Sequence, residues 1–171
     1  RPLHPLVTPR EAIKHVPTEA RFFSTLDAKS GYWQLPLHPD SQHLTTFITP
    51  WGRYKFLRAP MGLISTGDEY CRRGDLALEG LDNFVKVVDD ILVYSKTLEE
   101  HERHIRALLD RCRENGITLN ETKFCCAVEE ASFCGFTLSP AGKQVQPGKV
   151  TAISEFPPPT NITELRSFMG L

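Results

Sequence analysis

The sequence predicts an α+β fold in which helices pack on one face of an antiparallel sheet. Short runs rich in Val, Ile, Phe and Tyr are separated by Gly, Pro and Asn turn signals, as in half-buried strands. Between them lie apolar residues at helical spacing. The order is strand, helix, strand pair, helix, strand, and 171 residues suit a single core at roughly 100–200 residues per domain.

Each element has its own signal. Pro9 to His15 is a short helix, Phe22 to Leu26 a strand ending on Asp27, and Trp33 to Leu37 a second strand or its extension. Thr45 to Thr49 alternates toward the turn Pro50-Trp51-Gly52, and Arg53 to Leu57 returns to complete a hairpin. Pro60 and Gly62 break the chain before a helix over Ser65 to Leu78, which Gly80 ends. Val87 to Tyr94 reads as strand, turn and strand, reversing at Asp89-Asp90. Thr97-Leu98-Glu99-Glu100 is a capping box, and Leu98, His101, Ile105, Leu108, Leu109 and Cys112 recur at helical spacing until Asn115-Gly116. His101 is therefore a packed helix residue rather than a ligand. Short strands follow at Phe124 to Val128, Ser132 to Cys134 and Phe136 to Leu138, then a rigid Pro157-Pro158-Pro159 spacer. Asn161 caps a terminal helix with Glu164 completing the box, so its sequon is idle.

Composition narrows the class. A net charge of −1 gives no global attraction to nucleic acid, whose binding rests on Lys and Arg replacing counterions. Local charge differs, because Arg53, Lys55, Arg58, Arg72 and Arg73 interleave with Trp51, Tyr54 and Phe56. The five cysteines form no C-x-x-C pair, so neither a zinc site nor a disulfide framework is expected, and they read as small apolar residues in a reducing compartment. No 18-residue apolar run and no secretory leader pattern occur, so membrane insertion and secretion lack support and an intracellular chain with no membrane partner is expected.

The chemistry centres on Asp89 and Asp90, adjacent like charges within Val87-Val88-Asp89-Asp90-Ile91-Leu92-Val93-Tyr94. Carboxylates suit Mg²⁺ or Mn²⁺, although an Asp-rich hairpin turn carries the same pattern. Asp27 is a further carboxylate at a strand end. Three carboxylates on neighbouring strands can hold two divalent ions across an in-line phosphoryl displacement, so phosphoryl or nucleotidyl transfer is the first class to test.

These segments resemble the reverse transcriptase domain of gypsy-type (Metaviridae) LTR retrotransposon Pol polyproteins. Phe23-Ser24-Thr25-Leu26-Asp27-Ala28-Lys29-Ser30-Gly31-Tyr32-Trp33-Gln34 is similar to the family's first motif, Pro60-Met61-Gly62-Leu63 to the second, and Val87 to Ser95 to the third. Asn115-Gly116-Ile117-Thr118-Leu119-Asn120 with Lys123 resembles the fourth, and Phe133-Cys134-Gly135-Phe136 the fifth. The motifs occur in family order across essentially the whole chain.

The resemblance implies a reverse-transcriptase palm, a ferredoxin-like antiparallel sheet with helices on one face, over residues 1–156. Residues 45–57 would be a partial finger hairpin, and 157–171 a linker and the start of the connection segment. It further implies a fragment of a longer polyprotein lacking the upstream finger strands, with protease, RNase H and integrase as partner domains, in the cytoplasm, a virus-like particle or the nucleus. The implied reaction is RNA-directed DNA synthesis, in which a primer 3′-hydroxyl attacks a dNTP on an RNA or DNA template. Asp27, Asp89, Asp90 and the Ala28 carbonyl would hold two Mg²⁺ or Mn²⁺ ions, and Lys123 would protonate pyrophosphate. Ser30, Gly31, Tyr32 and Met61 would meet the nucleotide, with Tyr32 excluding a ribose 2′-hydroxyl unless it is simply a core aromatic. Arg53, Lys55, Arg58, Gly62, Phe133, Cys134 and Gly135 would contact template or primer, the last three as primer grip.

Departures from the family pattern stand beside it. Val87 replaces a common aromatic, Met61 lacks a retroviral amide, and Thr66-Gly67-Asp68-Glu69-Tyr70-Cys71 replaces a stretch that normally ends in Phe-Gln. Asp68 and Glu69 are expected to point away from nucleic acid, or the element has decayed into an inert remnant that only binds nucleic acid or another Pol domain. A metal-dependent phosphatase or nuclease is the third reading.

Overall fold

The computed structural model describes residues 4–170. Arg1, Pro2, Leu3 and Leu171, the ends of the stretch that carries the resemblance, lie outside the described residues. Helix α1 (Pro9–Lys14) starts on Thr8, whose hydroxyl accepts from the Glu11 amide while the Thr8 amide donates to Glu11 Oε2 at 3.0 Å. A four-stranded antiparallel sheet follows, in the order β4-β5-β1-β6, from β1 (Phe22–Asp27), β4 (Phe84–Val87), β5 (Asp90–Ser95) and β6 (Cys125–Val128). Helices α3 (Ile64–Ala77) and α4 (Leu98–Glu114) cross between strands. Between β1 and α3 lie α2 (Pro39–Gln42) and the hairpin of β2 (Phe47–Thr49) and β3 (Gly52–Tyr54). A smaller sheet of β7 (Ala131–Phe133), β8 (Phe136–Ser139) and β9 (Gly142–Val145) precedes α5 (Pro147–Ser154) and α6 (Ile162–Met169). Asn161 caps α6, its Oδ1 accepting from the Glu164 amide at 2.9 Å.

Alternation along the central strands builds two cores. Leu26, Ile91 and Val93 pack with Leu78 behind α3 and with Ile105, Leu108 and Cys112 of α4. Phe23, Leu92 and Tyr94 point the other way and pack with Ala12 and Ile13 of α1 and with Ala131, Phe133 and Leu138 of the small sheet. The second face is thus covered too, where the sequence suggested helices on one face only. The central residues Leu92 and Val93 are almost wholly buried, each contributing about 1.5–3 kcal/mol of apolar burial.

Polar groups tie α4 to the sheet. His101, buried in α4, bonds Ser24 Oγ of β1 at 2.7 Å through Nε2 and Ser95 Oγ of β5 at 3.0 Å through Nδ1. Ser24 Oγ also accepts from the Ala127 amide at 2.8 Å. Ala127 has φ +52° and marks where β6 slips in register against β1. Histidine here is a structural pin, as its helical spacing suggested.

Three expectations need correction. Trp33 to Leu37 is not a strand: Gly31–Gln34 form one 3₁₀ turn and Pro36 makes a lone bridge to Arg58. Ser30 at φ +52° turns the chain out of β1, and Pro36 has no N–H to continue a ladder. The cysteines are not uniformly core, since Cys125 and Cys126 lie exposed on the edge strand β6 while Cys71 and Cys112 are buried. Finally, β9 and α5 occupy residues after Leu138 that carried no assignment, because Lys143 and Gln144 gave β9 no apolar alternation.

Burial, and then the neighbouring His104, hold the His101 imidazole below its ordinary value of 6.5. The unfolded chain therefore takes up that proton first. This stability is fully present above about pH 6.5 and is lost as pH falls from there through the lower folded-state value. Urea midpoints should drop between about pH 7.5 and 5.5, and less steeply in His101→Gln; parallel slopes would remove His101 as the cause. Ser24→Ala, which strips a partner from His101 and from the Ala127 amide, should cost about 1–3 kcal/mol in the same measurement.

Candidate functional site

Register places the acidic residues. β1 and β5 pair antiparallel with Leu26 opposite Ile91 and Asp27 opposite Asp90. Directly opposed residues share a face, so both carboxylates project on the side that carries Phe23 and Leu92. Val88, at φ +53°, reverses the chain between β4 and β5, and the Ala28 amide donates to the Asp89 carbonyl at 3.0 Å. Successive residues point to opposite faces, and Asp89 accordingly turns toward α3.

Asp27 and Asp90 line a cavity of about 170 Å³ with Thr25, Lys123, Phe133 and Cys134. Lys123 Nζ donates to Asp27 Oδ1 at 2.9 Å, and this contact raises the pKa of its ammonium. Burial raises the Asp90 carboxyl, opposed by a hydrogen bond from Cys134 Sγ at 3.5 Å, and the charges of Asp27 and Asp89 push it further up. Two like charges side by side on adjacent strands are mutually destabilising unless a cation intervenes.

Asp89 instead lines a second cavity, about 470 Å³, with Ala28, Gln34, Tyr70 and Lys86. Its Oδ1 is buried and accepts no hydrogen bond of standard geometry. The three carboxylates are therefore not gathered at one point as expected; among the described residues no three His, Cys, Asp or Glu side chains could hold a metal together. The strand alternation that aligns Asp27 with Asp90 sends Asp89 the other way. The donors nonetheless fit a hard divalent ion: they are carboxylates with one buried oxygen lacking a partner, and Mg²⁺ needs only one or two protein carboxylates when waters and phosphates complete its sphere.

The turn after Asp27 is braced by Gln34. Its side chain donates to the Lys29 and Thr118 carbonyls, both at 2.8 Å, and accepts from the Thr118 amide at 3.0 Å. Lys29 and Asn120 amides add main-chain bonds across the same seam, to Thr118 and Asp27 carbonyls. Gly31 is buried there, and a Cβ on it would overlap Asp89 Oδ1 and the phenol of Tyr70. Tyr32 meets Tyr70 edge-on, with centroids 5.4 Å apart and planes at 71°. Burial raises the Tyr32 phenol, with a smaller push from Asp89.

The remaining residues are scattered more widely. Met61 is 77% exposed, Gly62 has φ +93°, and Arg53 and Lys55 are exposed on or beside the β2–β3 hairpin. Arg58 is engaged with the Gln34 carbonyl at 3.0 Å. Phe133 is not presented to a partner: it is 3% exposed and packs in the core, while Cys134 (φ +47°) and Gly135 (φ +85°) form the β7–β8 turn beyond it. Glu69 pairs with Arg72 at 2.8 Å and Arg73 at 2.7 Å, contacts that hold its carboxyl down to about 2. Sequence reasoning missed Gln34 and treated Tyr70 only as a departure; a lone Gln or Tyr carries no spacing signal, and both act through contacts across the fold.

Comparison with known proteins agrees with this geometry. The family described as "Reverse transcriptase (RNA-dependent DNA polymerase)" matches residues 2–138. The chain is 39% identical over 156 residues to the enzymatic polyprotein of Cestrum yellow leaf curling virus, covering 88% of this chain and 24% of that protein. It is 34% identical over 155 residues to the Pol polyprotein of the Drosophila melanogaster transposon gypsy, covering 90% and 15% respectively. The chain thus spans about a quarter or less of these relatives, and plant viral and transposon proteins stand at similar identity. A foamy viral protease–reverse transcriptase solved with double-stranded DNA superposes with a TM-score of 0.82 at 24% identity, over 88% of this chain and 26% of that one. The same viral protein solved with an RNA/DNA hybrid gives 0.79, covering 88% and 20%. Sheet, helices and turn thus share the fold of those enzymes, and the chain belongs to the reverse transcriptase (RNA-dependent DNA polymerase) family.

Proposed function

We propose that this chain is the catalytic palm, with a finger hairpin, of an RNA-directed DNA polymerase encoded in a gypsy-type retroelement Pol polyprotein. Asp27 directly opposite Asp90, with Asp89 at the adjoining turn, carries the reading in a member of this family. The ordered motifs from Asp27 to Gly135 support the gypsy-type assignment. In this reading residues 1–156 form the palm and partial fingers, 157–171 lead toward the connection, and protease, RNase H and integrase domains share the polyprotein. The element replicates in the cytoplasm or a virus-like particle.

The reaction joins the primer 3′-oxygen to the α-phosphorus of a dNTP and breaks the bond to pyrophosphate. Asp27, Asp89, Asp90 and the Ala28 carbonyl would hold two Mg²⁺ or Mn²⁺ ions. A bound divalent ion supplies a Lewis acid that lowers the hydroxyl pKa and neutralises charge growing on the phosphate. Lys123, close to the reacting centre through its Asp27 contact, gives a proton to the departing pyrophosphate. The Ser30 and Gly31 amides meet the triphosphate at the turn after Asp27. Tyr32 stands where a ribose 2′-hydroxyl would fall, braced by Tyr70, and Met61 is a further nucleotide contact. Arg53, Lys55, Arg58 and Gly62 line the template path, with the Cys134-Gly135 turn at the primer end.

Primer extension on poly(rA)/oligo(dT) with Mg²⁺, in the polyprotein context, tests the reading. Asp27→Asn should lower the rate about 100-fold or more while primer–template binding persists; an unchanged rate would refute the assignment. Tyr32→Ala should raise ribonucleotide use relative to deoxyribonucleotide by about tenfold or more in single-nucleotide incorporation. Unaltered sugar selection there would remove Tyr32 from the nucleotide site and leave it a packing residue.

A further inference from the structure

Tyr70, Gly31 and Asp89 occupy one small volume. Tyr70 sits on α3 and reaches back to the sheet, where its ring packs edge-on against Tyr32. The space in front of the buried Gly31 Cα is filled by the Tyr70 phenol and by Asp89 Oδ1 together, so that a single added carbon would overlap both. Asp89 points into this space because strand alternation turns it from Asp27 and Asp90, and its Oδ1 is buried without a hydrogen bond of standard geometry. The Tyr70 hydroxyl and Asp89 Oδ1 thus share the space in front of one Cα, where a phenol is a donor and a carboxylate an acceptor. A phenylalanine ring would fill the same volume but offer the carboxylate nothing.

We propose that Tyr70 is a positioning residue that latches Asp89 against α3, apart from Asp27 and Asp90, and that a divalent cation binding at those two residues draws Asp89 off the latch. Gly31 is what lets the latch close. The inference rests on the polymerase-site reading above and adds to it a resting state with a cost. Metal affinity is reduced by the fraction of molecules in which Asp89 is free to swing back. Lys123 adds a second barrier of the same kind by occupying Asp27 Oδ1 at 2.9 Å.

Mn²⁺ titration of this chain, followed by the loss of the free-ion electron paramagnetic resonance signal, reads the latch without any turnover. Tyr70→Phe should bind Mn²⁺ about 3- to 30-fold more tightly than the parent, the scale of releasing one hydrogen bond to a charged group, with a far-ultraviolet spectrum like the parent's. Equal or weaker binding in Tyr70→Phe overturns the latch. In that event, weaker binding in Asp27→Asn shows that the latch alone has failed and the metal site stands. If Asp27→Asn changes nothing, the polymerase-site reading has failed with it. Tyr70→Leu, which also lacks the hydroxyl, should bind as tightly as Tyr70→Phe; binding that returned to the parent's level would show that ring packing, not the hydroxyl, sets the affinity, and would equally overturn the latch.

Discussion

The pairing of β1 with β5 is the constraint on which the rest of the site depends. Its register runs from Phe22 opposite Ser95 to Asp27 opposite Asp90. Because side chains alternate, this register decides three things together: which residues meet α4, which meet α1 and the small sheet, and which carboxylates face each other. A slip of one residue would exchange the faces, forcing Asp27 among Leu26's neighbours and turning Phe23 out of its own core toward α4. The apolar residues on both faces, Phe23 and Leu92 on one and Leu26, Ile91 and Val93 on the other, hold the register against such a slip. Placement of two like charges side by side is therefore enforced by packing elsewhere along the same strands. The site draws on the stability of the core.

Polar contacts reinforce that arrangement at the end of the strands away from the carboxylates. His101 joins Ser24 on β1 to Ser95 on β5, so the helix reads both strands at once. Ser95 in turn bonds His104 Nδ1 at 2.8 Å, and His104 Nε2 lies 3.1 Å from Asn83 at the start of β4. A chain of buried and half-buried hydrogen bonds thus links β1, β5 and the residue before β4 to α4. Near the carboxylates, Gln34 plays the corresponding part by holding the turn after Asp27 to the segment around Thr118. Both clamps are neutral, which suits a region where Asp27, Asp89 and Asp90 already concentrate negative charge.

How much of this was legible in the sequence depended on the range of the signal. β1, β5 and α4 were readable because each has a local period: β-branched alternation in the strands, and Leu98 to Cys112 at helical spacing with Thr97 capping. The Asp27, Asp89 and Asp90 set was readable as a set of metal-ligand types, and the ordered motifs supplied a family. What was hidden required knowing which atoms meet across the fold. Ser30 adopts a left-handed conformation with no Gly to announce it, so the segment after it looked extended when it is a 3₁₀ turn. Phe133 appeared beside Cys134 and Gly135 as one functional phrase, yet alternation buries the ring and leaves the turn outside. Gln34 and Tyr70 are single residues whose importance lies entirely in partners distant along the chain.

The departure at Tyr70 acquires a physical meaning from that geometry. Asp68, Glu69 and Tyr70 looked together like the erosion of a motif, with acids where a phosphate backbone would pass. The structure separates them. Glu69 is neutralised by Arg72 and Arg73 along its own helix, so its charge is satisfied within α3. Tyr70 lies on the sheet-facing side of that helix and adds a hydroxyl where Asp89 enters from the turn. The hydroxyl suits this place because Gly31 leaves room for it and because a carboxylate turned from its fellows needs a donor in a buried setting. Here the Tyr70 hydroxyl stands beside the carboxylate that strand alternation turned away from Asp27 and Asp90.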